Sequence, residues 1–190
     1  MKKIPTLFKR EFDKHKVINI SSELTETSLL WVINGEGIAT EKIDGSCCAV
    51  IDGVFYKRYD AKRGKTPPVG AIPCDEPDKI TGHWPHWVKV DESDSGDKWF
   101  VSAYQNTESE ITDGTYEAIG PHFNGNPYKL EKDILVRHGE SVIELPDRSF
   151  EGIKDYLEKN NIEGIVFWKE NIPQCKIKRR DFGFKWPDID

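Results

Sequence analysis

Two Asp-Gly dipeptides, set between short β-prone runs, constrain the fold of this 190-residue chain more than any other feature. Asp44-Gly45 and Asp52-Gly53 separate the runs 38–43, 46–51 and 54–59. Asp-Gly suits the two-residue turn of a β-hairpin, because that turn needs positive φ angles. We therefore predict three consecutive antiparallel strands joined by tight turns.

The other segments predict more strands and few helices. Further strand candidates are residues 30–33, 115–119, 133–138 and a hairpin over 163–180. One helix is predicted to begin at Asp147 or Ser149 and to end at Asn160, with Ile153 and Leu157 on its apolar face. These elements predict an α+β fold of antiparallel β-sheets with few flanking helices.

Three segments give weaker signals. Residues 1–20 suggest a short helix or turn in which Leu7, Phe8 and Phe12 pack together. Residues 64–98, rich in Gly, Pro and Asp, are predicted to form a long ordered loop. Residues 97–105 fit a helix or a strand equally well.

Size and composition favour one large intracellular domain, or a domain with a small appendage. No apolar run has membrane-spanning length, and no apolar signal-peptide core follows the basic N-terminus. We therefore expect a cytoplasmic monomer that does not bind membranes. The four cysteines show no strong metal-ligand spacing and are expected to be reduced.

The net charge is −6, yet the cations are concentrated in two short windows that hold 10 of the 27 lysines and arginines. The windows contain Lys57, Arg58, Lys62, Arg63 and Lys65, and then Lys176, Lys178, Arg179, Arg180 and Lys185. Concentrated cations on an acidic chain favour a phosphate-binding site over a non-specific nucleic-acid coat. Solvated strand faces are the alternative for either window alone.

Lys42 is the candidate nucleophile. It follows Glu41 and precedes Asp44-Gly45, so a strand end beside a turn would fix its position. An attacking amine must lose its proton, which nearby cations such as Lys176 and Lys178 favour by lowering the pKa of the lysine. Alone, a lysine before a turn is more often an ordinary solvated residue.

Five segments in order resemble the covalent nucleotidyltransferase superfamily, and most closely its ATP-dependent RNA ligases. They are Glu41-Lys42-Ile43-Asp44-Gly45-Ser46, Lys57-Arg58, Tyr116-Glu117-Ala118-Ile119-Gly120-Pro121, Glu163-Gly164-Ile165-Val166-Phe167 and Lys176-Ile177-Lys178. The resemblance implies the nucleotidyltransferase fold, which is ATP-grasp-like. Set against the family, residues 1–190 are expected to form a single catalytic domain, without the separate C-terminal domain that many relatives carry.

The resemblance also implies three reaction steps, as in RNA repair. Lys42 takes AMP from ATP, and the AMP then passes to an RNA 5′-phosphate. Finally, a 3′-hydroxyl displaces the AMP and joins the two RNA ends.

The same resemblance assigns roles to single residues. Glu41 is expected at the adenine, Arg58 at the phosphate or RNA end, and Glu117 at the ribose. Glu163 is expected to bind Mg²⁺ (or Mn²⁺), because hard cations prefer oxygen ligands. Lys176 and Lys178 are the expected contacts of the AMP phosphate, and the adenine-stacking position falls within residues 134–136, which lack an aromatic side chain.

The sequence leaves open which residues bind RNA and which reaction of the superfamily the chain carries out. Candidate RNA contacts combine cations with aromatic side chains: Lys57, Lys62, Arg63, Trp84, Trp87 and Arg179. His83 and His86 fit a metal site less well than packed aromatic side chains. The alternatives are a DNA ligase, an RNA-capping guanylyltransferase, or a non-catalytic nucleic-acid-binding module.

Overall fold

A computed structural model describes residues 3–14, 16–78 and 81–188. The chain forms two compact units. Unit 1 comprises Met1–Lys3 and Asp44–His138, and unit 2 comprises Ile4–Ile43 and Gly139–Asp190. Within the described ranges, no helix has the length and apolar character needed to cross a membrane.

The described residues form eleven strands and three α-helices. The strands are β1 (Phe8–Asp13), β2 (Lys16–Leu24), β3 (Ile38–Glu41), β4 (Ser46–Ile51), β5 (Val54–Ala61), β6 (Ile72–Pro73), β7 (Trp84–Lys89), β8 (Gly114–Ile119), β9 (Ile134–Arg137), β10 (Gly164–Lys169) and β11 (Ile172–Lys178). The helices are α1 (Leu30–Ile33), α2 (Lys98–Asn106) and α3 (Phe150–Lys159). Every pairing between these strands is antiparallel, which confirms the predicted α+β fold of antiparallel sheets.

Unit 1 is built on one six-stranded sheet with the order β6-β7-β5-β4-β8-β9. Successive side chains of a strand point to opposite faces. One face packs against α2 through a core that includes Cys48, Tyr116 and Ala103. Cys47 and Glu117 lie directly opposite each other in the β4–β8 register and therefore share the other face.

Unit 2 contains a three-stranded sheet with the order β11-β10-β3 and the two-stranded pair β1-β2. Helix α3 buries Ile153 and Leu157 completely in the core of this unit, beside Ile165 and Phe167 of β10. Ser149 caps α3 by accepting a hydrogen bond from the Gly152 backbone N–H at 3.1 Å.

Three local predictions are confirmed by these elements. The β4–β5 hairpin turns at Asp52-Gly53, both with positive φ. Helix α3 has the predicted start, end and apolar face. The β10–β11 hairpin is also present, although it turns at Glu170-Asn171, whose φ angles are 54° and 60°, and Pro173 lies within β11.

The predicted hairpin around Asp44-Gly45 is wrong. Strand β3 belongs to the sheet of unit 2, where it pairs with β10, whereas β4 belongs to the sheet of unit 1. Gly45 serves close packing instead of a turn, because a Cβ atom there would lie 2.4 Å from the Ala118 carbonyl oxygen. The dipeptide Asp-Gly alone does not distinguish a tight turn from a site of close packing.

Three other expectations also need correction. The N-terminal segment forms strands β1 and β2 and not a helix or turn. Residues 30–33, predicted as a strand, form α1, because Trp31 and Val32 bury their side chains from a single helical turn. The predicted loop 64–98 contains β6 and β7, which extend the sheet of unit 1 beyond β5.

Candidate active site

Lys42 lies immediately after β3, and the backbone fixes its position. Its N–H donates to the Gly164 carbonyl at 2.8 Å, continuing the β3–β10 ladder by one residue. Its side chain is 19% exposed, and its Nζ lies 2.5 Å from Oε2 of Glu163. The candidate nucleophile therefore has a defined direction, set by one buried carboxylate.

Glu163 is the buried anion of a basic cluster. Its side chain is 2% exposed, and its two oxygens contact different lysines: Lys42 at Oε2 and Lys178 at Oε1, 2.7 Å away. The Arg180 guanidinium lies 4.0 Å from the same Oε1. A buried carboxylate is stable only when paired, so these cations and Glu163 stabilise each other's positions.

Gly164 explains how strand β11 brings Lys178 to Glu163. Gly164 and Lys178 are direct partners in the β10–β11 register. A Cβ atom at position 164 would lie 2.2 Å from the Ile177 carbonyl oxygen and 2.9 Å from Cα of Lys178. Only glycine permits this approach, so the Glu-Gly sequence supplies both the anion and the space beside it.

Lys176 lies two residues before Lys178 on the same face of β11. Burial, together with the charges of Lys42 and Lys178, lowers the pKa of Lys176 to about 8. The N-terminal segment fixes this part of β11, because the Lys176 N–H donates to Pro5 at 3.0 Å and its carbonyl accepts from Leu7 at 2.8 Å. Lys176 can therefore be neutral at mildly alkaline pH, unlike an exposed lysine.

Sequence reasoning missed Arg10 and Arg180 as members of this cluster. Arg10 lies on β1 and pairs with the buried Asp181 at 3.0 Å, and its charge also lowers the pKa of Lys176. Its place in the cluster depends on contacts more than 160 residues apart in sequence, which no local pattern reveals. Arg180 was visible as part of a basic window, but not as a neighbour of Glu163.

Glu41 precedes Lys42 at the end of β3 and is half-buried. Burial raises the pKa of its carboxyl group above the ordinary value. Its backbone N–H donates to the Ser141 carbonyl at 2.8 Å, and the residue is the direct partner of Ile165 in the β3–β10 register. The adenine contact expected of Glu41 stays a prediction.

Glu117 and Arg58 lie in unit 1, on the sheet face opposite α2. Glu117 is 9% exposed, and its Oε1 lies 3.2 Å from Nε2 of His138. Arg58 donates from Nε to Asp60 at 3.0 Å. Residues 134–136, predicted to include the adenine-stacking position, belong to β9, and Val136 faces Glu117 across the β8–β9 pair. The nucleotide contacts expected of Glu117 and Arg58 stay predictions.

Two of the predicted RNA-binding cations have structural partners. Lys57 lies on the α2 side of the sheet and pairs with Asp97, whose side chain is 2% exposed. Arg179 is 5% exposed and donates to the Asn160 and Lys185 carbonyls, each at 2.7 Å, which satisfies the C-terminal end of α3. The RNA contacts expected of Lys57 and Arg179 stay predictions. Lys62 and Arg63 are exposed.

The two tryptophans predicted to contact RNA belong to strand β7. Trp87 is 6% exposed within the sheet. Trp84 is half-buried; its indole N–H donates to the Asp75 carbonyl at 2.8 Å, and its ring lies 4.5 Å from that of His86. The predicted aromatic packing is confirmed for His86, which is 2% exposed. Trp87 therefore leaves little surface for stacking on a base, and the RNA contact expected of Trp84 stays a prediction.

Glu163 was the expected metal ligand, and its surroundings test that expectation. Its oxygens suit Mg²⁺ chemically, but each is in contact with a lysine ammonium group. A directly bound cation would have to displace Lys42 or Lys178. The residues therefore do not fit a metal bound by Glu163 while both lysines stay in place.

Comparison with known proteins shows which family the sequence resembles. The sequence model of the RNA ligase 1 family matches residues 106–190. The chain is 25% identical over 255 aligned positions to RNA ligase 1 of Pongo abelii, covering 96% of the chain and 78% of that protein. The resemblance to RNA ligases of the nucleotidyltransferase type is confirmed.

Two further relatives bear the same name. RNA ligase 1 of Rattus norvegicus is 25% identical over 251 positions, covering 94% of the chain and 77% of that protein. RNA ligase 1 of Danio rerio is 29% identical over 141 positions, covering 57% of the chain and 43% of that protein. The segment matched by the RNA ligase 1 family contains Glu117, Glu163 and Lys178. Lys42 precedes it and lies within the alignment that covers 96% of the chain.

Proposed function

We propose that this chain is an ATP-dependent RNA ligase that joins a 5′-phosphate to a 3′-hydroxyl through a lysyl-AMP intermediate, as RNA repair requires. The observation that supports this best is the contact of Lys42 Nζ with the buried Glu163 inside a cluster of cations. A nucleophilic lysine needs a fixed direction and a group to accept its proton. The similarity to RNA ligase 1 supports RNA as the substrate.

In the first step, the Lys42 amine attacks the α-phosphorus of ATP. A P–N bond forms, the bond to pyrophosphate breaks, and Glu163, which lies 2.5 Å away, accepts the proton that the ammonium group loses. Lys178 and Lys176 stabilise the negative charge that develops on the phosphate oxygens. These cations are already in position before ATP arrives, because Glu163 and the β10–β11 register fix them.

The next two steps use the AMP attached to Lys42. An oxygen of the RNA 5′-phosphate attacks the AMP phosphorus, which breaks the P–N bond and returns the lysine amine. The 3′-hydroxyl then attacks the activated 5′-phosphate, forms the phosphodiester bond and releases AMP. We propose Mg²⁺ or Mn²⁺ as a cofactor that arrives on the nucleotide phosphates, because Mg²⁺ is commonly bound through substrate phosphates.

An adenylylation assay tests this proposal. The protein is incubated with ATP labelled at the α-phosphate and Mg²⁺, and labelled protein is measured on a denaturing gel. We expect label with ATP, little with GTP, and none in Lys42→Ala. The control Lys154→Ala, which replaces a half-exposed lysine of α3, should label normally. Absence of label from wild type with either metal would favour the non-catalytic binding module.

A strand-joining assay tests the substrate. We expect the protein to seal 5′-phosphorylated RNA ends and to leave the equivalent DNA ends open. Sealing of DNA with equal efficiency would favour the DNA-ligase alternative. Label from GTP in place of ATP would favour the capping alternative.

A further inference from the structure

Strand β1 carries an aromatic side chain on the surface of unit 2. Leu7 and Phe8 are buried, whereas Phe12 is 53% exposed, so the predicted packing of all three together is wrong. Phe12 is the most exposed phenylalanine, tyrosine or tryptophan of the described residues. A cation lies over its ring, because Cζ of Arg10 is 5.1 Å from the ring centre. The pair offers an aromatic surface and a positive charge side by side.

A buried carboxylate fixes Arg10 beside the basic cluster. Asp181, whose side chain is 1% exposed, accepts from Arg10 at 3.0 Å through Oδ1 and from the Lys178 backbone N–H at 2.9 Å through Oδ2. Arg10 and Lys178 are therefore joined through a single side chain. Besides burial and the neighbouring lysines, the charge of Arg10 lowers the pKa of Lys176, so the guanidinium lies within electrostatic range of this lysine.

The Arg10 guanidinium retains donors for a ligand. Among the residues that the structure describes, Asp181 is its one hydrogen-bond acceptor, so one of its five N–H groups is used. The side chain is 28% exposed. A planar guanidinium with unused N–H groups suits a phosphate, whose oxygens can accept two parallel hydrogen bonds from it.

The basic cluster holds more positive charge than one AMP phosphate requires. Its cations are Lys42, Lys176, Lys178, Arg10 and Arg180, and its carboxylates are those of Glu163 and Asp181. In the second step of the proposed reaction, the RNA 5′-phosphate lies beside the AMP phosphate that it attacks. A second phosphate calls for cations beyond the two lysines expected at the AMP. Arg10 is such a cation.

We propose that Arg10 and Phe12 bind the 5′ end of the RNA strand that the ligase activates. Arg10 contacts the terminal phosphate, and Phe12 stacks on the base of the same nucleotide. One nucleotide can reach both side chains, because the guanidinium carbon and the ring centre are only 5.1 Å apart. The inference rests on the proposed ligase function and assigns the contacts that unit 2 makes with its RNA substrate.

The exposed ring favours RNA over the phosphates of ATP. A guanidinium alone would suit the phosphates that leave as pyrophosphate equally well. A triphosphate chain gives an aromatic ring nothing to stack on, whereas every nucleotide of a single strand has a base. The adenine of ATP is the other base that could occupy the ring, so the experiment has to separate RNA from ATP.

RNA binding measured by fluorescence anisotropy tests the contact without catalysis. The probe is a short RNA with a 5′-phosphate and a fluorescein label at its 3′ end, and a second probe differs only in its 5′-hydroxyl group. We expect wild type to prefer the phosphorylated probe. No ATP is present, so a failed adenylylation assay would leave this result untouched. A failed RNA contact would equally leave the assignment of Lys42 intact.

Two variants separate the phosphate contact from the base contact. Arg10→Gln should lower the preference for the 5′-phosphate about tenfold, because charge-assisted hydrogen bonds are lost. Phe12→Ala should weaken binding of both probes by at least about fivefold, the lower range for a lost base stack, and Phe12→Trp should restore it. A probe whose 5′-terminal nucleotide lacks its base should bind wild type and Phe12→Ala equally well.

Ile172→Ala is the matched control. Ile172 is 57% exposed and begins β11, about 20 Å along the strand from Lys178, so both affinities should be unchanged. Circular dichroism checks that each variant is folded.

Three results would overturn the proposal. The first is a wild type that binds neither probe. The second is unaltered RNA affinity in Phe12→Ala or an unaltered phosphate preference in Arg10→Gln. The third is slower labelling by ATP in these variants without any change in RNA affinity, which would assign the pair to ATP.

Discussion

Replacing Glu163 by glutamine tests the basic cluster most sharply. The glutamine side chain has the same size but removes the negative charge that Lys42 and Lys178 share. Its amide group would also direct N–H donors towards at least one ammonium group, which has no acceptor to offer. The substitution therefore leaves mutually repelling cations around a neutral and poorly matched side chain.

The size of the effect follows from burial. Removing one partner of a buried ion pair typically costs about 3 to 5 kcal/mol. Glu163 is 2% exposed, but Lys42 and Lys178 are 19% and 24% exposed, so water recovers part of the loss. We expect Glu163→Gln to lower the free energy of unfolding by about 2 to 4 kcal/mol.

Urea unfolding followed by circular dichroism measures this change. Glu36→Gln is the control, because Glu36 is a half-exposed carboxylate that pairs with Lys169 at 3.0 Å, and exposed pairs contribute about 1 kcal/mol or less. Adding Lys178→Met to Glu163→Gln should restore part of the lost stability, because one uncompensated cation is removed. A Glu163→Gln variant as stable as the Glu36→Gln control would refute the ion pairs described for this cluster.

Three further predictions concern the framework of unit 2. Gly164→Ala should lower the free energy of unfolding by about 2 to 4 kcal/mol, because the alanine Cβ would overlap the Ile177 carbonyl. Calorimetry should show a lower Tm for this variant. An unchanged Tm would contradict the close approach of β11 to Gly164. Lys176 has a pKa of about 8 in the folded state and about 10.5 in the unfolded state, so between these pH values the unfolded state binds more protons. The free energy of unfolding of the wild type, relative to that of Lys176→Met, should therefore rise by at most about 3 kcal/mol from pH 8 to pH 10.5. A flat difference in urea unfolding across that window would count against the burial of Lys176. Arg179→Ala should cost about 2 to 3 kcal/mol in the same assay, and Arg179→Lys should recover little of it, since one ammonium group cannot replace the guanidinium contacts at the end of α3.

Sequence patterns were informative where the structure is local. The Ser149 cap and the spacing of Ile153 and Leu157 predict helix α3, because these residues belong to one element and its N-terminal cap. The β4–β5 hairpin depends on its own Asp52-Gly53 turn. In each of these cases, the residues that determine the structure are neighbours in sequence.

The same patterns do not predict pairing between strands that are distant in sequence. The strand before Lys42 pairs with β10, more than 120 residues later, and nothing in residues 38–46 distinguishes that partner from β4. The motif order nevertheless identified Lys42, Glu163 and Lys178, which the structure brings together. Arg10 could not be predicted, because its ion pair with Asp181 joins residues that lie 171 positions apart in sequence.

The basic windows show a second limit of the sequence. Composition cannot separate a cation that faces solvent from one that satisfies the fold. Arg179 and Arg180 are adjacent, yet Arg179 is buried against the end of α3, whereas the Arg180 side chain is 56% exposed beside Glu163. A single turn of 3-10 helix over Arg179–Phe182 follows β11, and its packing decides which of the two arginines remains available to a ligand.

Covalent attachment of AMP to Lys42 is the step on which the proposed function depends. Wild-type protein incubated with ATP and Mg²⁺, then digested and analysed by tandem mass spectrometry, tests it directly. We expect the added mass of one AMP on the peptide that contains Lys42, with the modification located at that side chain. AMP on another lysine, such as Lys176 or Lys178, would contradict it.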